Sequence, residues 1–282
     1  MLLGSHLSTS GGLHNALKDA REYGFHATAL FVRSPRQWSA PPLTREAIAE
    51  FKRARKESGV EVVVAHASYL INLAGEPPQR KNGLGAVQED LARCAALGIE
   101  HLVLHPGSCP DLEEGIRRIA DGLDEAMETV ANKRVKLLLE VTAGQGKCIG
   151  HRFEHLAELL SRVKRKSRYG ICLDTAHMFA AGYELRKPKA WEETMNAFES
   201  IVGLKNLQAM HVNDSKKPLG SRVDRHENIG EGEIGLAGFK NLVNDSRFEN
   251  IPLIMETPKG NRASDGRDWD EVNAEVLQSL VR

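Results

Sequence analysis

No stretch of this sequence approaches the roughly 20 consecutive apolar residues that a membrane-spanning helix needs, although 41% of its 282 residues are hydrophobic. The opening MLLGSHLSTSGG lacks a basic segment followed by a long apolar run, so it does not read as a secretory signal. The four cysteines, Cys94, Cys109, Cys148 and Cys172, form no CxxC pair and keep no regular spacing. That speaks against a disulfide framework, and reduced thiols in a soluble cytoplasmic protein are expected. Net charge is missing too: 38 basic residues offset 38 acidic ones, and no lysine- or arginine-rich tail is present. The balance argues against non-specific coating of nucleic acid. It leaves room for a local basic groove, because net charge does not report distribution. Internal repeats, low-complexity tracts and Pro/Ser-rich linkers are lacking, so one domain over 1–282 is expected.

Nucleotide-binding signatures are also absent. The run GQGKC around Lys147 has neither the upstream glycine nor the following Ser/Thr of a phosphate-binding loop. The run IGEGEIG at 229–235 follows no strand pattern and carries no basic residue, so its glycines are expected to shape a tight loop.

What the chain does contain is a regular succession of short Val/Leu/Ile-rich runs. They fall at 2–6, 27–32, 60–66, 101–105, 136–141, 170–174, 207–212 and 251–256. Amphipathic helical patterns separate most of them, for example at 13–23, 45–58, 111–131, 153–163, 191–202 and 268–281. Ile116, Ile119, Ala120, Leu123 and Met127 illustrate the three- and four-residue spacing. Eight strands joined by crossovers predict a parallel α/β fold, either an open doubly wound sheet or a closed (β/α)8 TIM barrel, with the barrel preferred. The stretch 213–235 is too long for an ordinary connection and reads as a functional loop.

The last residues of these runs carry the chemistry. His66, His105, Glu140, Asp174, His211 and Glu256 end six consecutive strand patterns, and His177 follows Asp174 on the turn into a helix. The long loop adds Asp224 and His226. In a parallel barrel such tips converge on the face where barrel enzymes keep their active sites. A single histidine there is often structural, and a single carboxylate often caps the next helix. Four carboxylates crowded together need neighbouring cations, and too few lysines or arginines adjoin them. The pattern therefore predicts a metal site. Imidazole mixed with carboxylate suits zinc, manganese or iron, and nine protein ligands serve two or three ions. The other histidines are expected to be structural: His14, His151 and His155 lie on or near helices, His26 precedes a strand, and His101 begins one. His6 ends strand one and could face the cluster.

Clustered divalent ions suit phosphate-ester hydrolysis but leave peptidase and amidase chemistry open. Resemblance narrows the choice. FVRSPRQW (31–38), AHASYLINLA (65–74), LVLHPGS (102–108) and LLLEVTAGQG (137–146) resemble segments of the endonuclease IV family of apurinic/apyrimidinic (AP) DNA endonucleases. So do CLDTAHMFAAGY (172–183), MHVNDSK (210–216), DRHENIGEGEIG (224–235) and LIMETP (253–258), in the family's order across nearly the whole chain. The resemblance implies three zinc ions, with manganese or iron suited to some sites. His66 and His105 would hold one, bridged through a catalytic Glu140 to a second completed by Asp174, His211 and Glu256. His177, Asp224 and His226 would hold the third.

The activity implied is base excision repair: hydrolysis 5′ of an abasic site in double-stranded DNA, leaving a 3′-hydroxyl and a 5′-deoxyribose phosphate. Partners implied are duplexes with abasic sites or damaged 3′ ends, bound by a monomer with no nucleotide cofactor and no membrane. Arg36, Gln37 and Tyr69 would contact DNA, and Lys216, Lys217, Arg222 and Arg225 could add phosphate contacts. Ser34 stands where the family commonly has asparagine, which puts one DNA contact in question. Two rival readings remain. A sugar isomerase or epimerase of similar architecture would use Glu140, Asp174, His211 and Glu256 but leave His66, His105, His177, Asp224 and His226 unexplained. A non-catalytic DNA-lesion binding module would require a defect among the ligands, and the sequence has none.

Overall fold

Eight parallel strands close into a barrel in the computed structural model, which describes residues 1–130 and 134–282. They are β1 (Leu3–His6), β2 (Ala27–Leu30), β3 (Val62–His66), β4 (His101–Leu104), β5 (Lys136–Glu140), β6 (Tyr169–Asp174), β7 (Leu207–His211) and β8 (Leu253–Met255). Each strand pairs with its sequence neighbours, and Leu3, Gly4 and Ser5 of β1 pair with Leu253, Ile254 and Met255 of β8 to close the ring. That seam decides between the two arrangements the sequence allows, because an open sheet would leave both strands as unpaired edges.

The helices are α1 (Asn15–Glu22), α2 (Arg45–Ser58), α3 (Pro77–Leu97), α4 (Leu112–Glu128), α5 (Phe153–Arg162), α6 (Thr175–Ala181), α7 (Pro188–Ile201), α8 (Gly235–Val243) and α9 (Trp269–Ser279). Strand patterns in the sequence overrun most of the ladders by one or two residues, since apolar character continues past the last paired amide. The pattern at 111–131 ends at Glu128, and its final residue lies outside the described residues. The 21-residue α3 is the least legible helix: it opens on two prolines, contains Gly83 and Gly85, and buries Asp90 and Arg93 among its apolar residues. Among the described residues, no helix is long and apolar enough to cross a membrane, and the four cysteines are free.

Alternation along the strands sorts side chains into two layers. Leu137 and Leu139 of β5 face the helices and join the large outer core. Leu138 instead joins Ala27, Ala29, Val64, Val103, Cys172, Ala209 and Ile254 in a separate cluster inside the barrel. Two residues beyond six of these lumen residues stand His66, His105, Glu140, Asp174, His211 and Glu256. A strand repeat of two residues aims all six at the barrel mouth. His6 and Phe31 complete the ring from β1 and β2, their rings 4.4 Å apart.

The lumen tolerates this ring only because some of its neighbours are small. A Cβ on Gly4 would sit 1.8 Å from the Ala27 carbonyl oxygen, a backbone atom that cannot swing away. Gly4→Ala is therefore expected to destabilise the fold by about 3 kcal/mol through overpacking. Gly24, at φ +69° with open space around it, is expected to lose about 1 kcal/mol as alanine, from left-handed backbone strain alone. Urea midpoints of the two variants test the order; equal losses would mean that the β1–β2 seam relaxes freely.

Candidate metal centre

Glu140 is the centre of the mouth, fully buried at the tip of β5. Its Oε2 lies 3.1 Å from His66 Nε2 and 3.0 Å from His105 Nε2. Its Oε1 lies 2.8 Å from His211 Nδ1 and 3.4 Å from His177 Nδ1. Around this carboxylate, His211 Nδ1 approaches Glu256 Oε2 at 3.1 Å and Asp174 Oδ2 at 3.9 Å. His226 Nε2 lies 3.7 Å from Asp174 Oδ2 and 3.4 Å from Asp224 Oδ1, and Asp224 Oδ2 is 3.2 Å from His177 Nε2. All nine sequence-selected residues thus converge. Three overlapping groups of donor atoms could each hold an ion: His66, Glu140, His211 and Glu256; His105, Glu140 and His177; and Asp174, His177 and His226. Asp224 borders the last group rather than belonging to it, and is the most exposed of the nine carboxylates and imidazoles.

The orientation of the imidazoles fits metal ligation. His66 Nδ1 faces the Ala67 carbonyl at 2.7 Å, His177 Nδ1 the Val141 carbonyl at 2.9 Å, and His226 Nδ1 the Glu256 carbonyl at 3.0 Å. A carbonyl at Nδ1 requires the proton there and leaves the Nε2 lone pair free for a metal. Nε2 of His177 and of His226 is buried without a directed hydrogen bond. Ligand atoms about 2.0–2.1 Å from a tetrahedral ion stand about 3.3 Å apart, and the separations here run from 2.8 to 3.9 Å.

The charges are balanced internally. Burial alone would raise the Glu140 carboxyl, yet the imidazoles of His211 and His105 hold it well below the ordinary carboxylate range. Glu256 behaves alike: burial opposes ionisation, and His211, His6 and His66 outweigh it. Conversely, burial lowers the imidazoles of His177 and His211. Asp174, Asp224 and Glu140 around the first, and Cys172, Glu256 and Glu140 around the second, hold both well above the histidine range. The buried carboxylates thus favour positive charge at the imidazoles that face them.

Local structure explains the spacings. Asp174 does both things a strand-tip carboxylate can do. Its Oδ1 accepts the His177 N–H at 2.8 Å and caps α6, while its Oδ2 faces the cluster. Capping fixes the interval of three residues between the two side chains. Asn213 lies in the MHVNDSK run, whose sequence assigns it no role: its Nδ2 donates to Asp174 Oδ2 at 2.7 Å and its Oδ1 accepts the Glu256 N–H. Asp214 was equally silent. Its carboxylate accepts backbone N–H groups from Gly230, Gly232 and Ile234 at 2.9–3.1 Å, and a Cβ on Gly232 would lie 2.5 Å from its Oδ1. The glycines of IGEGEIG therefore wrap a buried carboxylate. The adjoining pairing of Asp214–Ser215 with His226–Glu227 brings Asp224 and His226 back to the mouth.

His6 Nδ1 donates to Glu256 Oε1 at 2.8 Å, so it supports a cluster carboxylate from behind and joins none of the three groups. The remaining histidines lie elsewhere: His14 and His26 pair with Glu50 and Glu61, His151 and His155 support the 148–150 turn, and His101 starts β4 at the far end of the barrel. Arg36, Gln37 and Tyr69 are exposed on the loops after β2 and β3, Tyr69 by 61%. Ser34 Oγ faces the Arg36 N–H at 3.4 Å. Of the basic loop residues, Lys216 pairs with Glu227 and Arg225 donates to the Asp224 carbonyl. Arg222 adopts a left-handed φ of 54°, its N–H bonded to the Ala180 carbonyl at the end of α6. A cleft of about 380 Å³ opens beside the cluster between His105, Gln145, Lys147, Cys148, Asp224 and Arg225.

Comparison with known proteins agrees with this geometry. A family described as "Xylose isomerase-like TIM barrel" matches residues 17–280. A probable endonuclease 4 of Chloroflexus aggregans is 42% identical over 99% of this chain and 97% of its own length. One of Campylobacter fetus is 44% identical over 99% and 98%. The crystal structure of endonuclease IV from Thermus thermophilus superposes with a TM-score of 0.88 at 34% identity, covering 99% of this chain and 98% of that one. The chain belongs to the endonuclease IV family of barrel enzymes.

Proposed function

We propose that this protein is a zinc-dependent AP endonuclease that hydrolyses the phosphodiester 5′ of an abasic nucleotide in duplex DNA, leaving a 3′-hydroxyl and a 5′-deoxyribose phosphate. The observation that carries the reading is the convergence of eight imidazole and carboxylate side chains around the buried Glu140, four of them imidazoles that approach it directly. A four-residue set of Glu140, Asp174, His211 and Glu256 would suffice for a sugar isomerase. The additional His66, His105, His177, Asp224 and His226 favour a larger cluster.

Three zinc ions, with manganese or iron suited to the same donors, would be held as follows: His66 and His105 with Glu140; Glu140 with Asp174, His211 and Glu256; and His177, Asp224 and His226. When bound, such ions supply Lewis acidity and acidify a water enough for attack at neutral pH. The chain's own contribution is orientation. Glu140 presents one oxygen to each side of the cluster, and the carbonyls of Ala67, Val141 and Glu256 fix the tautomers of His66, His177 and His226. Asn213 keeps Asp174 turned inward. Arg36, Gln37 and Tyr69 project from the rim, where they would enter the duplex as the abasic nucleotide is turned out of the stack. The protein would act as a monomer and a single barrel unit, on abasic sites and on damaged 3′ ends.

Cleavage of a duplex carrying one tetrahydrofuran abasic analogue tests the reading directly. The analogue lacks the aldehyde that β-elimination needs, so a nick leaving a 3′-hydroxyl just 5′ of it is expected. Folded, zinc-loaded protein that leaves the duplex intact would refute the assignment. Glu140→Gln is expected to lower turnover on this duplex by on the order of 10²–10³-fold with the fold preserved by circular dichroism; wild-type turnover would remove Glu140 from the chemistry.

Zinc uptake should also be pH-linked. An incoming ion displaces the protons that the carboxylates hold on His177 and His211. Affinity is therefore expected to rise with pH, by about tenfold per pH unit for each proton displaced, until those imidazoles are neutral. Competition of metal-stripped protein with a chromophoric chelator at several pH values measures this, and an affinity independent of pH would count against ligation by these histidines.

A further inference from the structure

The helix least legible in the sequence carries the charged groups that hold the rim in place. α3 buries an ion pair that the chemistry above does not use: the side chains of Arg33 and Asp90 are each 2% exposed. The pair is bidentate, with Arg33 Nε 2.6 Å from Asp90 Oδ1 and Nη2 3.2 Å from Oδ2. The third guanidinium nitrogen, Nη1, donates to the Gln37 carbonyl. One turn along α3, Arg93 donates through Nη1 to the Val32 carbonyl at 3.3 Å and through Nη2 to the Pro41 carbonyl. Its Nε bonds Glu89 Oε1 at 3.0 Å, and the same oxygen accepts the Ala40 N–H at 3.2 Å.

The segment 31–41 is thus gripped at its start, middle and end, while Ser34, Arg36, Gln37 and Trp38 stay exposed between the grips. Ser68 Oγ donates to the Pro35 carbonyl and accepts the Leu70 N–H, tying this segment to the loop that bears Tyr69. Among the described residues, none of the hydrogen bonds of Arg33, Asp90 and Arg93 reaches the nine-residue cluster.

A buried ion pair is a weak source of stability, because desolvation offsets most of the attraction. What a planar guanidinium supplies is direction. We infer that Arg33, Asp90 and Arg93 are positioning residues that hold the 31–41 segment in its DNA-engaging shape before substrate arrives. The inference rests on the reading of the protein as a DNA endonuclease. Holding the segment in advance removes an ordering cost from binding and leaves the metal-borne chemistry untouched, so the effect belongs in KM rather than kcat.

The test uses the zinc-loaded full chain and two variants. Arg33→Lys keeps the charge opposite Asp90 but loses the fork that reaches Gln37; Asp90→Asn keeps the shape but loses the charge. Each is expected to raise KM for the tetrahydrofuran duplex by about tenfold, with kcat within about twofold and zinc content unchanged. Chymotryptic cleavage after Trp38, which reads the loop without DNA, is expected to accelerate in both. If Asp90→Asn fails to fold, Arg33→Lys carries the measurement. Wild-type KM in a variant whose loop has become cleavable would overturn the inference, as would a fall in kcat matching the change in kcat/KM. Wild-type protein that does not nick the duplex at all would instead overturn the endonuclease reading, and the inference with it.

Discussion

The alternation of side chains along eight strands of a closed barrel is the constraint on which the rest of the molecule depends. Once Val64, Val103, Leu138, Cys172, Ala209 and Ile254 fill the lumen, the residues two places further on have no choice but to face one another across the mouth. Between Tyr169–Asp174 and Leu207–His211 the register shifts by one residue at Ile171/Cys172, and Asp174 and His211 then stand side by side. The convergence of histidine and carboxylate is a consequence of closure and register. It would be lost by a one-residue slip in any strand, which would turn that strand's ligand towards the helices.

Convergence creates an electrostatic problem that the same residues answer. Glu140 and Asp174 are fully buried, and Glu256 and Asp224 lie beside them with no lysine or arginine paired to any of the four among the described residues. Five imidazoles interleave with these carboxylates, which hold those of His66, His177 and His211 above the ordinary histidine range against the cost of burial. A site able to balance buried carboxylates with protons can balance them with divalent cations, given imidazoles whose other nitrogen is already fixed by a backbone carbonyl. The outlying elements then serve precision. Asp174 sets its own position and that of His177 by capping α6. Asp214 gathers the amides of the 230–235 loop, and α3 holds the rim.

The strands, most of the helices and all nine cluster residues could be read from the sequence because each rests on a short-range signal. Period-two and period-3.6 patterning marks the elements, a polar residue ending an apolar run marks six of the tips, and His177, Asp224 and His226 follow in the adjoining turn and long loop. α3 escaped because its buried Asp90 and Arg93 break that patterning, and their reason for being buried lies some 50 to 60 residues away in sequence, at Val32 and Arg33. Asn213 and Asp214 escaped for a related reason. Their partners are backbone amides and a carboxylate brought close only by the fold, so the MHVNDSK run that contains them does not reveal what they hold.

The sequence by itself determined the succession of strands and of most helices and the chemical identity of the nine cluster residues, since both are properties of residues and their immediate neighbours. Only the tertiary structure decided that the sheet closes through β1 and β8, which nitrogen of each imidazole faces inward, and which distant side chains hold Asp174 and the rim loops. Those outcomes depend on contacts between residues far apart in sequence, such as His6 with Glu256, 250 positions away. Such contacts exist only after the long loops have been closed, and the hydrogen bonds that select among orientations form at that stage.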